Sequence, residues 1–231
     1  MPIAHQITAS LDTLFIGQVG VLANDGGASA IDKQSNKDSC RLEADGLVGD
    51  AVADPHHHGG PDRALNHYPG EHYAHWQGRY PGYEDIFVPG VLGENLSTRG
   101  ITEADVCVGD VFTLGTARIQ ISQPRQPCWK IGVRTGIAGL AKAVIQQGLA
   151  GWLYRVVEPG HIRAGDTLTR VEAAAHGITL AQMWDIHTKR EPSEDERLAM
   201  ITLAELASLA PEWRKRMASR ARQIAERRRA G

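Results

Sequence analysis

Cysteine is scarce in this sequence. The three cysteines, Cys40, Cys107 and Cys128, include no CxxC pair. Secreted domains stapled by disulfides carry more cysteines at closer spacing, so this composition argues against a disulfide framework and for a reducing compartment. Cys40 and Cys107 are isolated in the sequence, so the chain also lacks the cysteine set that an iron–sulfur cluster requires.

Long hydrophobic runs are also missing. No stretch of about 18 apolar residues occurs, so we expect no segment to span a bilayer. The first residues lack a basic region followed by an apolar one, which argues against a secretory signal. The net charge is only −2, and so provides no general attraction to nucleic acid or to a membrane. These absences predict a cytoplasmic protein without a membrane partner.

The small net charge hides an uneven distribution. Residues 211–231 carry eight lysines and arginines against two glutamates, which leaves a net charge of −8 on the rest of the chain. Such a basic segment could bind nucleic acid, but it has no interleaved aromatic residue beyond Trp213. We interpret it as a solvated helix face, which could dock a protein partner, and expect no nucleic-acid partner.

Short apolar strands separated by turns rich in Gly and Asp continue to about residue 171. This pattern predicts a mainly β fold with some α-helix, built as a closed or nearly closed β barrel over residues 29–171. Residues 1–28 would add an N-terminal strand or extension, with a strand at 14–22 and a frayed or surface segment at 1–12. Residues 178–230 would form three short helices, as a small second domain.

Two helices are predicted within the barrel segment. The first spans residues 69–79 and places Tyr73, Trp76 and Tyr80 on one face. An aromatic stripe at this spacing is more often core than cofactor site, and we interpret it as core. The second helix spans residues 139–148 and ends at a glycine.

Capping signals mark the three C-terminal helices. Thr179 can cap a helix that ends near residue 189. Ser193 and Thr202 are each followed three residues later by glutamate, which is the spacing of a capping box. Pro211 starts the last helix, whose apolar stripe is surrounded by basic residues.

Cys128 stands out among the candidate functional residues. It follows a predicted strand at 117–122, and two prolines in between exclude helix and favour an extended turn. Arg125 and Lys130 flank the thiol, and neighbouring cations stabilise the reactive thiolate. The alternative is a small buried hydrophobe packed beside Trp129. The prolines and the cations favour a thiol that is accessible for chemistry.

A loop dense in Asp, His and Gly surrounds the triplet at residues 56–58. Adjacent residues of an extended chain point to opposite faces, so at most two of these histidines could bind one metal ion. With no matching Cys/His set elsewhere, we expect no zinc site. Gly59 and Gly60 would instead let a ligand approach the backbone, with one histidine pointing inward.

Arg63 and Arg125 each lie in a loop beside an apolar element. Convergent arginines provide forked donors for a phosphate or a carboxylate. The alternative for Arg63 is a surface salt bridge with Asp62 or Asp50. Asn95 is either a ligand-binding residue or only a turn residue.

Three acidic residues accompany these basic groups: Asp50, Asp54 and Glu94. They could be catalytic acids, or they could orient the basic side chains. We interpret them as orienting residues.

Four segments together resemble the MOSC family, domains related to the C-terminal part of molybdenum cofactor sulfurases, and in particular its YiiM-like subgroup. They are residues 29–33, 46–76, 90–110 and 120–131. The C-terminal helices are similar to the 3-alpha domain that follows the MOSC domain in this subgroup. The resemblance implies a MOSC-type β barrel followed by a small three-helix domain.

The resemblance also implies a cofactor and its ligands. The cofactor would be the molybdenum cofactor, molybdenum bound to molybdopterin, and Cys128 would be both the catalytic residue and the protein ligand to molybdenum. A soft thiolate suits this metal. The residues that match cofactor-binding positions are Lys33, His58, Arg63, Asn95, Arg125 and Cys128. The basic ones would hold the phosphate or polar edge of the pterin, and Asn95 and His58 would line the pocket.

The implied activity is reduction of small N-hydroxylated compounds, such as hydroxylaminopurines, to amines. Since the chain lacks an iron–sulfur cysteine set, an external reductase would deliver the electrons. The alternative is a sulfur-carrier, sulfurtransferase or molybdenum-cofactor carrier protein in which Cys128 holds a persulfide. A further alternative is a non-enzymatic module for cofactor storage.

Overall fold

The fold is described from a computed structural model that covers residues 6–23 and 27–230, excluding the side chain of Ala230. The predicted turn at residues 24–28 therefore lies partly outside the described residues. The strands are β1 (Thr8–Ile16), β2 (Gly20–Val21), β3 (Ala28–Ser29), β4 (Gln34–Asn36), β5 (Cys40–Glu43), β6 (Gly46–Leu47), β7 (Leu65–Pro69), β8 (Leu96–Arg99), β9 (Val111–Leu114), β10 (Ala117–Pro124), β11 (Trp152–Glu158), β12 (Gly160–Ile162) and β13 (Thr167–Glu172).

Seven strands form a closed barrel in the order β13, β9, β10, β11, β7, β8 and β1, and β1 pairs with β13 to close it. All neighbouring pairs are antiparallel except β7 and β8, which are parallel. The strand β4 adds to the far half of β1. The predicted β barrel is confirmed, and it is followed by helices as expected.

The barrel core follows the two-residue period of its strands. In β10, Ala117, Ile119 and Ile121 are buried, whereas Arg118 and Gln120 between them are only half-buried. Each fully buried aliphatic side chain stabilises the fold by about 1.5–3 kcal/mol relative to leaving it exposed. The strand therefore has a core face and a face that can carry polar groups.

The strand predicted at 14–22 is confirmed only at residues 14–16 and 20–21, and its bounds were wrong. The strand begins at Thr8, within the segment expected to fray, and ends at Ile16. Residues 8–12 alternate between exposed and buried side chains. They are held because β1 pairs with β13 on one side and with β8 on the other. The sequence shows the same alternation at residues 8–12, because polar residues occupy the exposed positions.

The helices are α1 (Pro55–His58), α2 (Glu71–Arg79), α3 (Lys130–Thr135), α4 (Leu140–Gln147), α5 (Leu180–Thr188), α6 (Glu194–Glu205) and α7 (Pro211–Ala230). The helix predicted at 69–79 starts at Glu71, because Pro69 belongs to β7. Tyr73 and Trp76 are buried, as the core interpretation requires. The helix predicted at 139–148 corresponds to α4.

Capping explains two of the three C-terminal helix starts. Thr179 and Ser193 form complete capping boxes at the starts of α5 and α6. The box predicted at Thr202 is wrong, because Thr202 lies inside α6. The apolar side chains of these helices belong to the same hydrophobic cluster as the barrel core. The boundary between two domains stays a prediction.

One local prediction near the candidate site was also wrong. The triplet at residues 56–58 is helical rather than extended, because Pro55 starts α1 and the Asp54 carboxylate accepts a hydrogen bond from the His57 amide at 3.2 Å. The argument from opposite faces therefore does not apply to these histidines. Nevertheless, no group of three or more His, Cys, Asp or Glu side chains in residues 6–23 and 27–230 could hold a metal ion.

The helix α3 was not predicted. The strand β10 continues through Pro124, and only residues 125–129 separate it from α3. A proline is tolerated at this strand end because few further ladder bonds are needed there. Within the part of the chain that the structure covers, every helix is too short or too polar to cross a membrane.

Candidate functional site

Cys128 differs from the other two cysteines in its exposure. Cys40 and Cys107 are buried, whereas Cys128 is half-buried, in the short segment between β10 and α3. Burial raises the pKa of Cys40, and it raises the pKa of Cys107 to about 11. A thiolate is the form that attacks electrophiles and binds metals. Cys128 is therefore the cysteine best placed for chemistry.

The segment that carries Cys128 is held at both ends. At its start, the Arg125 amide donates a hydrogen bond to the Gly151 carbonyl at 3.0 Å. At its end, the Cys128 carbonyl accepts from the Ile131 amide at 3.2 Å as the first turn of α3 forms. The strand on one side and the helix on the other therefore fix where the thiol lies.

Arg125 is a cation whose side chain could still bind an anionic ligand. Its guanidinium group donates to the Leu92 carbonyl and, among the described residues, forms no ion pair. Burial lowers the pKa of Arg125, while the nearby Glu94 and Cys128 act in the opposite direction. Further N–H groups of a guanidinium remain for an anionic ligand.

Lys33 lies in a buried ion pair. Its Nζ is 2.6 Å from Oδ2 of Asp50, and both side chains are largely enclosed. Burial lowers the pKa of Lys33, and Asp50 opposes this shift. Asp50 also accepts from the Gly17 amide at 2.7 Å and from Nδ2 of Asn95 at 2.8 Å. These contacts agree with the interpretation of Asp50 as an orienting residue.

Asn95 connects several elements of the barrel. Its Nδ2 also donates to the Phe15 carbonyl at 3.2 Å, and its Oδ1 accepts from the Asn66 amide at 3.1 Å. Asn95 is buried and lies directly before β8. These bonds join β1, β7 and the Lys33–Asp50 pair, so the side chain does more than form a turn.

Glu94 lies beside Asn95 but is completely buried. Its Oε1 accepts from the Tyr73 hydroxyl and from the Gly90 amide, the latter at 2.6 Å. Its Oε2 has no partner among the described residues, and neither has Oδ1 of Asn66. Burial raises the pKa of Glu94. Two buried acceptor atoms therefore remain available near Arg125 and Asn95.

Arg63 lies in the short segment between α1 and β7. Its Nη2 is 2.9 Å from Oε2 of Glu212 in α7. The expected partners have other contacts, since Asp50 binds Lys33 and Asp62 lies 2.6 Å from Arg155. A salt bridge is therefore present at Arg63, but with a partner from the last helix.

His58 is exposed at the end of α1. Its pKa is lowered, chiefly because surrounding protein atoms limit its hydration. The positive charges of Arg125 and Arg63 lower the pKa further, whereas Asp54 raises it. Two arginines from separate loops therefore both lower the pKa of His58, so these three predicted residues lie close enough to interact electrostatically.

A cavity of about 800 Å³ lies between the segment that follows β1 and the helix α3. It is lined by the segment 16–23, by Asp32 and Gln34 on either side of Lys33, and by Val133 and Arg134 of α3. None of the six residues predicted to bind the cofactor is among its lining residues. The cavity is large enough for a cofactor.

Arg134 was missed in the sequence. Its guanidinium donates to the carbonyls of Gly90 and Val91, the latter at 2.7 Å, and pairs with Asp32 at 2.8 Å. Because α3 was not predicted, nothing in the local sequence placed Arg134 on the cavity wall. Arg134 therefore links α3 to the backbone of residues 90–92, whose Leu92 carbonyl also accepts a hydrogen bond from Arg125.

The geometry defines a class of protein: a closed seven-stranded barrel in which one strand is followed by a half-buried thiol and by an arginine with no ion pair among the described residues. The MOSC domain model matches residues 54–169. The chain belongs to the MOSC domain family.

Similar sequences support this assignment. The protein YiiM of Escherichia coli (strain K12) is 38% identical over 199 residues, which cover 85% of this chain and 86% of that protein. The YflK protein of Bacillus subtilis (strain 168) is 35% identical over 212 residues, covering 89% and 91%. A protein of Gibberella moniliformis named "Reductase" is 37% identical over 145 residues, which cover 62% of this chain but 26% of that protein.

Similar structures lead to the same subgroup. YiiM from Geobacillus stearothermophilus superimposes with a TM-score of 0.77 at 30% identity, covering 92% of this chain and 99% of that one. YiiM from Escherichia coli gives a TM-score of 0.76 at 31% identity, covering 94% of each chain. The chain is therefore a YiiM-like MOSC protein, as its sequence motifs predicted.

Proposed function

We propose that this protein is a reductase of N-hydroxylated compounds that depends on the molybdenum cofactor, with Cys128 as the protein ligand to molybdenum. One observation carries this proposal: the half-buried Cys128 thiol lies near Arg125, whose guanidinium has no ion pair among the described residues. Membership of the MOSC family and the name "Reductase" of the fungal relative support it.

The residues present fit such a cofactor. A thiolate is a soft ligand of the kind that suits molybdenum. Arg125 can donate to a phosphate or to the polar edge of a pterin. The two acceptors without partners, Asn66 Oδ1 and Glu94 Oε2, match the N–H groups that a pterin ring carries.

The remaining candidate residues have supporting roles in this proposal. Asn95 and Asp50 orient the Lys33 ammonium group. Arg63 must exchange its bond with Glu212 before it can hold an anionic group. His58, with its lowered pKa, is neutral near pH 7 and so offers both a donor and an acceptor nitrogen.

The overall reaction converts R–NHOH, two electrons and two protons into R–NH₂ and water. When bound, the cofactor supplies the two electrons, and the protein supplies its position and electrostatic environment. An external reductase would return the electrons to the cofactor. Arg125 would hold the cofactor's negative charge, and the fixed segment between β10 and α3 would keep the Cys128 thiolate in position.

The test is the Cys128→Ser variant, expressed in a host that makes molybdopterin. We expect the wild-type chain to contain one molybdenum per chain and to reduce 6-hydroxylaminopurine, and the variant to lose both while keeping its circular dichroism spectrum. Cys40→Ser is the matched control and should retain metal and activity. Molybdenum retained in the Cys128 variant would disprove ligation by this residue.

The exposure of Cys128 also suits a second candidate function, a sulfur carrier with a persulfide on this thiol. The same preparation separates the two functions. If the protein is a sulfur carrier, cyanide should release sulfur from it and it should contain no molybdenum. If it is the reductase, it should contain molybdenum, and removing the metal with a chelator should abolish activity.

A further inference from the structure

Trp129 differs from every other tryptophan of the chain. Of the five tryptophans, the four others are between 0% and 6% exposed, whereas Trp129 is 58% exposed. The buried four are Trp76, Trp152, Trp184 and Trp213. A large aromatic side chain left in water beside a functional loop is typical of a ligand or partner contact.

Trp129 is held in a defined position despite its exposure. It directly precedes α3, with helical backbone angles, and its carbonyl accepts from the Gly132 amide at 3.0 Å. The Lys130 ammonium lies 5.9 Å from the centre of the Trp129 ring and donates to the Ala28 carbonyl at 2.5 Å. The ammonium group is therefore anchored over one face of the indole ring, while the residue as a whole stays 58% exposed.

Because Trp129 is next to Cys128 in the chain, a ligand bound at the thiol could also contact the indole ring. Adjacent Cα atoms are about 3.8 Å apart, so a molecule on the indole is within reach of groups bound at the thiol. Planar bases stack on exposed aromatic rings, whereas small acyclic molecules offer no flat face. A cation beside the ring further favours electron-rich heteroaromatic rings.

We propose that Trp129 is the stacking platform that selects planar heteroaromatic substrates, that is, N-hydroxylated nucleobases over acyclic hydroxylamines. The identity of the substrate rests on the proposed function. The stacking itself does not, because it requires only the indole surface and a planar base.

The first experiment measures binding without chemistry. Adenine, a planar base without an N-hydroxyl group, is titrated into the full-length protein by calorimetry. Loss of one stacking contact weakens binding by about tenfold, so Trp129→Ala should raise the dissociation constant by about that factor. Trp129→Phe keeps an aromatic face and should restore most of the affinity. Tyr83→Ala removes another exposed aromatic, 41% exposed, and should change nothing.

The second experiment measures reduction of two substrates by the cofactor-loaded protein. Trp129→Ala should raise KM for 6-hydroxylaminopurine about tenfold more than it raises KM for N-methylhydroxylamine. Equal loss with both substrates would indicate a structural role and overturn the proposal, as would an unchanged dissociation constant for adenine. If the wild-type protein reduced neither substrate, the proposed function would fail, while the adenine titration would still decide the stacking role.

Discussion

Arg63 and Glu212, which are 149 residues apart in the sequence, form an ion pair with 2.9 Å between Nη2 and Oε2. The same carboxylate accepts from Arg216, whose Nη1 donates to Oε1 of Gln126 at 2.6 Å. The first two turns of α7 therefore contact both loops of the candidate site.

Glu212 should control how available Arg63 is to anions. Glu212→Gln removes the charge but keeps the size, so inorganic phosphate should bind several-fold more tightly at low salt, as measured by calorimetry. Exposed ion pairs contribute little, so the free energy of unfolding should fall by less than about 1 kcal/mol. Glu194→Gln is the control, because Glu194 pairs with Arg197 and Arg228 instead. Equal phosphate affinities of the two variants would show that Glu212 does not restrain Arg63.

Thiol reactivity should separate the three cysteines. At pH 8 a disulfide reagent such as DTNB should modify one thiol per native chain, and peptide mapping should locate it at Cys128. Cys107 should not react, because burial blocks access and raises its pKa to about 11. Cys40 is buried with a raised pKa and should also react only after unfolding. Rapid modification of either buried thiol in the folded Cys128→Ser variant would contradict this prediction.

The Lys33–Asp50 pair should be important for stability. Asp50→Asn leaves a buried ammonium group without its counter-charge, which typically costs about 3–5 kcal/mol of unfolding free energy. Urea denaturation measures this loss. The control is Glu43→Gln, which breaks the exposed pair with Arg41 and should change the unfolding free energy by less than about 1 kcal/mol. If the unfolding free energy fell equally little in both variants, the Lys33–Asp50 pair would not contribute to the stability of the fold.

Glu94 should make the stability depend on pH. Its pKa in the folded protein is raised above the ordinary value of 4.5, so between these two values the folded chain binds more protons than the unfolded chain. The contribution of Glu94 is therefore fully present below pH 4.5 and is lost as the pH rises through the folded pKa.

Glu94→Gln tests this dependence because it replaces the carboxyl group with a neutral group of the same shape. The unfolding free energy of the wild type, relative to this variant, should decrease as the pH is raised from about 4.5. Urea denaturation at several pH values measures the difference. A difference that stays constant, or that grows with pH, would mean that burial does not raise the pKa of this carboxyl group.

Several parts of the molecule follow from short-range features of the sequence. The alternation in β10 predicts its buried face, and the capping boxes at Thr179 and Ser193 mark the starts of α5 and α6. The proline turn and its flanking cations distinguish Cys128 from the other cysteines. These features depend on residues within about four positions of each other, and so local geometry determines them.

Tertiary structure decided the partners of the candidate site residues. The sequence could not place Glu212 beside Arg63, since that contact depends on how α7 packs against the barrel. Nor could it place Arg134 against the 90–92 backbone, because α3 has little local signal.

The sequence also could not show that Thr202 lies inside α6, although Thr202 and Glu205 have the spacing of a capping box. The sequence alone determined the barrel class and the MOSC motifs, and it predicted Cys128 as the cysteine best suited to chemistry. Which cations are neutralised and which remain available was decided only by the folded chain, because charges far apart in sequence meet through strand closure and helix packing.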